Sequence, residues 1–354
     1  MPVSDSQHNP PAEKNSINAT DNSQHDLRLD SIRQWLESDC GLSDFVIEVA
    51  SADASFRRYF RVRMNSKQPQ SYIVMDAPPD KEDCAPFIKI ARLLEDAGVH
   101  APHTHQYDAV QGFMLLSDLG NRAYLDQLNQ HTADVLYGDA ISAIIHMQQI
   151  KAALPAYNET LLRAEMSLFS DWYLARHLQL ELSSSQQQVL DNTFDLLVNN
   201  ALQQPQGFVH RDYHSRNLML TDENNPGVID FQDAVIGAAS YDLVSLIKDC
   251  YIAWPRHKQR QWIKQYLAQS ALQIETDTFI KQLDLMGLQR HIKVCGIFAR
   301  LNYRDGKPGY MADIPRTLAY VFDVCRRYDE LKDFAALLNA LGIHADADLL
   351  EQLQ

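Results

Sequence analysis

The residues whose types and spacing carry the most chemistry lie in two short segments. The first is Phe208–Val209–His210–Arg211–Asp212–Tyr213–His214–Ser215–Arg216–Asn217, and the second, beginning thirteen residues after Asn217, is Asp230–Phe231–Gln232–Asp233. Asp212 is a carboxylate inside a dense run of hydrogen-bonding residues. Held in a tight loop, it can orient a hydroxyl and accept its proton. Asn217 and Asp230 add an amide oxygen and a second carboxylate, the hard donors that Mg²⁺ prefers. A base for a hydroxyl beside oxygen ligands for Mg²⁺ is what phosphoryl transfer from ATP to an alcohol requires, because catalysis there consists of positioning and charge neutralisation.

Such a constellation needs a frame. Gly207–Val209 and Leu218–Leu220 are apolar runs on either side of the polar loop, Thr221–Gly227 is rich in turn formers, and Gly227–Phe231 reads as a further strand. Tyr241–Ile247 opens a helix with Asp242 in its first turn, where an acid suits the positive end of the helix dipole; in kinase folds, which the loop resembles, an Asp so placed braces the loop through its backbone. Upstream, Phe45–Val49, Tyr59–Arg63 and Tyr72–Asp76 are strand-like, and the small residues of 50–55 between the first two would let backbone N–H groups approach phosphates. Asp83–Ala97 has helical periodicity and is stopped by Gly98, with Glu82, Asp83 and Glu95 expected to face solvent, the alternative being that one of them pairs with an arginine that replaces a strand lysine. His100, His103 and His105 share a loop with Pro102 but complete no metal-ligand spacing. Beyond Ala133 the pattern is mostly helical, with segments expected over Val135–Met147, Leu161–Leu178, Gln186–Leu202, Leu285–Leu301 and Pro315–Tyr328.

Composition bounds the rest. With 354 residues, 45% of them hydrophobic, the chain is long enough for two lobes and a sizeable core. Its net charge of −14 disfavours nucleic acid and anionic lipid as partners. The five cysteines are widely spread without a C-x-x-C, which reads as reduced thiols in a cytoplasm. No apolar run is long enough to span a bilayer. The first 26 residues are polar, lack the apolar stretch of a secretory signal, and read as a disordered tail.

His210–Arg211–Asp212 followed by Asn217 resembles the catalytic loop of kinase-fold phosphotransferases, and Asp230–Phe231–Gln232 stands where their metal-binding Asp-Phe-Gly belongs. More narrowly, the segments Ala52–Arg61, Val74–Pro79, Ile229–Ala234 and Phe298–Lys307 together resemble the bacterial anomeric N-acetylmuramate/N-acetylglucosamine kinases of the aminoglycoside phosphotransferase/choline kinase superfamily. The resemblance covers roughly residues 29–338. Two departures from the protein-kinase pattern, Gln232 in place of glycine and a third strand with no lysine, suit this subgroup.

The resemblance implies an α+β, two-lobed protein-kinase-like fold. A small N-terminal nucleotide-binding lobe (27–118) would carry an antiparallel sheet and one helix. A larger, mainly helical C-terminal lobe (119–354) would carry the catalytic loop and the sugar site. Asp212 would activate the anomeric 1-hydroxyl, with Asn217 and Asp230 on Mg²⁺. ATP would be met by Ser55 and by one of Arg57, Arg58 or Arg61 in place of the strand lysine, which the sequence leaves open, and by the hinge at Ser117 and Leu119. Tyr213, His214, Arg216, Arg300, Arg304 and Lys307 would meet the sugar. The last three are candidates for its lactyl carboxylate, with a structural salt bridge to Asp305 as the rival role. The product would be the α-1-phosphate, made in bacterial cell-wall recycling by a cytoplasmic monomer. Two alternatives remain open at this point: a same-fold kinase of choline, homoserine or an aminoglycoside, and an inactive nucleotide-binding module.

Overall fold

In the N-terminal third, short runs of β-branched and aromatic residues are punctuated by turn formers, and these build a sheet. The computed structural model describes residues 26–52, 56–66 and 70–354, so the expected tail up to residue 25 and the candidate Ser55 lie outside the described residues. The chain divides into two units, residues 1–43 and 44–354. In the first, helix α1 (Leu27–Ser38) is capped by Asp26, whose Oδ1 accepts from the Arg28 and Leu29 N–H groups at 3.2 Å each.

The second unit begins with strands β1 (Phe45–Ala52), β2 (Arg58–Met64) and β3 (Ser71–Asp76), then helix α2 (Ala85–Asp96), then β4 (Thr104–Asp108) and β5 (Phe113–Ser117). The five strands form one antiparallel sheet in the order β1-β2-β3-β5-β4. Its register sets Arg58 opposite Asp76 at one end and Tyr72 opposite Ser117 at the other. Helix α2 buries Phe87, Ile90, Ala91 and Leu94, and the Phe87 ring meets Phe231 at 4.8 Å between centroids. Strand β4 falls where the sequence suggested only a histidine-bearing loop. It is an edge strand with an exposed polar centre, so it lacks the apolar alternation that marks a strand.

Helices α3 (Tyr124–Gln127), α4 (Ala133–Gln148), α5 (Glu159–Leu168) and α6 (Ser184–Gln203) follow, and Phe169–His177 between the last two is π-helical. The expected single helix over Leu161–Leu178 is therefore α-helical only as far as Leu168. Two small hairpins hold the chemistry: β6 (Gln206–Val209) pairs with β9 (Val235–Ala238), and β7 (Leu218–Met219) with β8 (Gly227–Val228). The strand expected to continue to Phe231 ends at Val228, because Asp230 takes the left-handed conformation at φ +64°.

The chain closes with α7 (Tyr241–Ile247), α8 (Arg256–Gln269), α9 (Thr276–Tyr303), α10 (Ile314–Cys325), α11 (Lys332–Ala340) and α12 (Ala347–Gln352). Helix α9 starts nine residues earlier than Leu285 and is buried over much of its length, including Asp284, Gln289, Arg290, His291 and Lys293. Those polar residues hid its extent from periodicity. Gly296 lets α9 pass against the start of the π-helical segment, since a Cβ there would lie 2.3 Å from the Leu168 carbonyl carbon. None of the five cysteines is in a disulfide. Among the described residues, no helix is long and apolar enough to cross a membrane.

Candidate active site

The catalytic loop runs from β6 to β7, and its backbone is held from below. The Asp242 carboxylate, at the start of α7, accepts the backbone N–H of His210 at 2.7 Å and of Arg211 at 3.1 Å. This is the bracing role its position in the first helical turn suggested. Asp249 does the same further along, accepting the Ser215 N–H at 2.9 Å and its hydroxyl at 2.5 Å. His210 is fully buried. Its Nε2 lies 3.0 Å from the Ile229 carbonyl, and its Nδ1 accepts the Asp212 N–H at 3.3 Å. Both contacts are met only by the neutral ring, and burial pushes its pKa down to about 4.

Three predicted residues meet in one place. Asn217 donates through Nδ2 to the Asp212 carbonyl at 3.0 Å and to Asp230 Oδ2 at 3.2 Å, leaving the lone pairs of its Oδ1 for another partner. Gln232 donates to Asp230 Oδ1 at 2.9 Å, while its own Oε1 is buried without a hydrogen bond. These oxygens are hard donors and fit a small divalent cation.

Beneath the loop lies a network that the sequence did not reveal. Arg211, in the left-handed conformation at φ +78°, is paired with the buried Glu165 of α5. The same carboxylate takes Lys293 of α9 at 3.0 Å, and Lys293 also reaches the Tyr241 hydroxyl at 3.2 Å. Burial pushes the Asp212 carboxyl up, but positive charge, from Lys293 above all and also from Arg211, outweighs it and holds the group below its ordinary range. The loop base is thus kept ionised by a lysine that lies 81 residues away in sequence.

A cleft of about 510 Å³ opens from Asn217 and Asp230 past Phe231 towards the sheet, bounded there by Tyr59, Arg61, Ser117 and Leu119. The three candidate arginines are all engaged with carboxylates. Arg57 meets Glu82 at 3.1 Å, so Glu82 is a partner rather than a solvent-facing acid. Arg58 meets the fully buried Asp76 through Nε at 2.9 Å and Nη2 at 2.5 Å. Arg61 holds Asp118 at 2.7 and 3.0 Å and also donates to the Gly120 carbonyl at 2.8 Å. Arg61 is thereby committed to the segment after β5.

The expected sugar contacts separate. Tyr213 is fully buried and donates its hydroxyl to the Ala140 carbonyl at 2.9 Å. It is part of the packing against α4 and is not presented to a substrate, which corrects the expectation. The His214 ring packs edge-on to Tyr251 at 5.3 Å, and its buried Nδ1 has no partner. Arg216 lines the cleft with its guanidinium 3.6 Å from the Tyr251 ring centroid. Arg304 is bound bidentately by Asp305 at 2.8 and 2.9 Å, which is the rival role named for it. The Lys307 N–H closes the end of α9 on the Leu301 carbonyl at 3.0 Å. The Arg300 side chain makes no hydrogen bond or ion pair with any described residue, and its Nε is buried.

A five-stranded antiparallel sheet, a helical body and this loop together define a kinase-like phosphotransferase fold. The chain belongs to the phosphotransferase enzyme family, whose model matches residues 46–278. Among curated proteins it is 46% identical to the N-acetylmuramate/N-acetylglucosamine kinase of Pseudomonas aeruginosa, covering 91% of this chain and 99% of that protein. It is 42% identical to the protein of that name from Pseudomonas putida, covering 92% and 99%. In fold it is similar to the ADP-bound crystal structure of aminoglycoside phosphotransferase APH(2'')-Ib, with a TM-score of 0.56 and 15% identity over 83% of this chain and 98% of that one.

Proposed function

We propose that the protein is an ATP- and Mg²⁺-dependent kinase that transfers the γ-phosphoryl group to the anomeric 1-hydroxyl of N-acetylmuramate and N-acetylglucosamine. The observation that carries the reaction is the Asn217 amide donating to the Asp212 backbone carbonyl and to the Asp230 carboxylate, with Asn217 and Asp230 lining the cleft. The choice of acceptor rests on the two relatives, which match this chain over 99% of their length.

In this reading Asp212 orients the 1-hydroxyl and takes its proton as O1 bonds to the γ-phosphorus. The bond from that phosphorus to the β-bridging oxygen breaks, and ADP leaves. Asp230 and the Asn217 Oδ1 would hold Mg²⁺, which when bound neutralises charge on the phosphate oxygens. Gln232 steadies Asp230. Arg57 and Arg58 lie at the β1–β2 end of the sheet, and one of the three candidate arginines is the cation for the phosphates. Arg61 sits three residues along β2, about 10 Å away, and braces the hinge. Ser117 and Leu119 line the cleft at that hinge, beside the adenine, where the nucleotide lobe ends at residue 118 and the catalytic lobe begins. Arg216 and His214 face the sugar. Such an enzyme fits the bacterial cytoplasm, in cell-wall recycling towards UDP-N-acetylmuramate.

The test is phosphorus NMR of the products formed from ATP, Mg²⁺ and a panel of amino sugars, choline, homoserine and an aminoglycoside. An anomeric phosphate on N-acetylmuramate is expected, and Asp212→Asn should lower its formation by about 10²–10⁴-fold. Phosphate on a 6-hydroxyl, or only on a non-sugar alcohol, would overturn the proposal.

A further inference from the structure

Of the described residues that line the cleft, two are cationic, Arg61 and Arg216. Arg61 is engaged by Asp118 and the Gly120 carbonyl. Arg216 is exposed, and among the described residues no carboxylate or carbonyl takes its N–H groups. Its contacts are aromatic: the guanidinium carbon lies 3.6 Å from the Tyr251 ring centroid and 5.9 Å from that of Tyr310. At the shorter separation the planar group lies against the ring face, and the N–H donors at its rim stay open to an acceptor.

This placement is fixed from both sides. The buried Asp249 carboxylate accepts the Ser215 N–H and hydroxyl through Oδ2 and the Tyr251 N–H through Oδ1 at 3.0 Å. One carboxylate therefore anchors both the residue before Arg216 and the ring on which Arg216 lies. The residue after it is Asn217, whose N–H closes on the His214 carbonyl at 2.9 Å and whose amide donates to Asp230. In the proposed function the phosphoryl group in flight lies between these metal residues and the sugar hydroxyl. A side chain that adjoins Asn217 and faces the sugar is set against that group. Its charge is spread over three equatorial oxygens, which a guanidinium fork meets bidentately.

We infer that Arg216 is a further catalytic residue, donating to the equatorial oxygens of the γ-phosphoryl group during transfer, with Tyr251 as the positioning residue that aims it. This rests on the proposed function. As O1 bonds to the phosphorus and the bond to the β-bridging oxygen breaks, the hydroxyl proton goes to Asp212. Arg216 keeps its own protons and supplies charge alone. The experiment measures kcat and KM with ATP and N-acetylmuramate for the unaltered protein, Arg216→Met, Tyr251→Leu and Tyr251→Phe. Arg216→Met should lower kcat by about 10²–10³-fold, as for one preorganised donor to developing charge, with the sugar's KM within roughly threefold. With Mg²⁺ and sugar present, aluminium fluoride, a mimic of the group in flight, should tighten ADP binding to the unaltered protein and far less to Arg216→Met. ADP alone should bind both alike, which reports that the variant is folded. Tyr251→Leu should lower kcat, and Tyr251→Phe, which keeps the ring, should recover most of that loss. An unchanged kcat in Arg216→Met, or a loss confined to the sugar's KM, would overturn the inference while leaving the function standing. Equal losses in the two Tyr251 variants would overturn the role given to the ring. Failure of the unaltered protein to phosphorylate either sugar would overturn the function itself.

Discussion

Replacing Glu165 with glutamine tests whether the network beneath the catalytic loop is electrostatic. Glu165 is 7% exposed and faces two cations, Arg211 and Lys293, the latter at 3.0 Å and 6% exposed. At that distance, and with an effective dielectric constant of 20, the attraction to Lys293 is about 5 kcal/mol. Because desolvation offsets much of it, the measurable cost is that of stranding buried cations, about 3–5 kcal/mol. Against a domain stability of about 5–15 kcal/mol, the variant should fold but be marginal. Urea unfolding near pH 7.5 measures the loss. Glu165→Gln combined with Lys293→Met removes the carboxylate together with one of the cations it would strand. The double variant should therefore be less destabilised than the sum of the two single changes, by about 1–3 kcal/mol. Strict additivity would refute the argument and leave Glu165 as ordinary packing.

Two other outcomes follow from the same structure. His210 is buried as the neutral ring with a pKa near 4, below its ordinary value of about 6.5. The stability this contributes is complete above that ordinary value and is lost as pH falls towards 4, a total of about 3 kcal/mol. Unfolding midpoints measured between pH 7 and 4.5 should decline, and the decline should be shallower in His210→Asn; an unchanged slope would contradict the assignment. Gly296→Ala places a methyl 2.3–2.5 Å from the backbone of Leu168 and Phe169, so it should cost about 3 kcal/mol or more. A thermal midpoint within a degree of the unaltered protein would show that α9 does not depend on that close passage.

The order of elements around the catalytic loop was legible because the polar run is bounded by apolar strands and turn formers, and because Asp242 sits where a helix start can reach back to the loop. The supporting charges were not. Glu165 and Lys293 are 128 residues apart, and a lysine inside an apolar helical pattern looks like a solvent-facing interruption of it. Tyr213 was misjudged for a related reason. Adjacency to Asp212 in sequence suggested adjacency to the substrate, yet its ring turns the other way and its hydroxyl meets α4. The π-helical segment left no mark at all, since its residues continue the helical pattern and its geometry is bound up with a close approach at Gly296, more than a hundred residues away.

The pairing of Arg58 with Asp76 inverts an arrangement common among kinases, where a lysine on the third strand is held by a glutamate on a mobile helix. Here the third strand supplies the acid and its neighbour the cation, directly across the ladder. A contact fixed by strand register has no lever: a swing of α2 leaves both partners where the sheet puts them. Displacement of that helix, which disarms many protein kinases, would leave the register of this pair unchanged. A cation proposed for the phosphates is in this way positioned by the sheet itself, through a contact within one ladder.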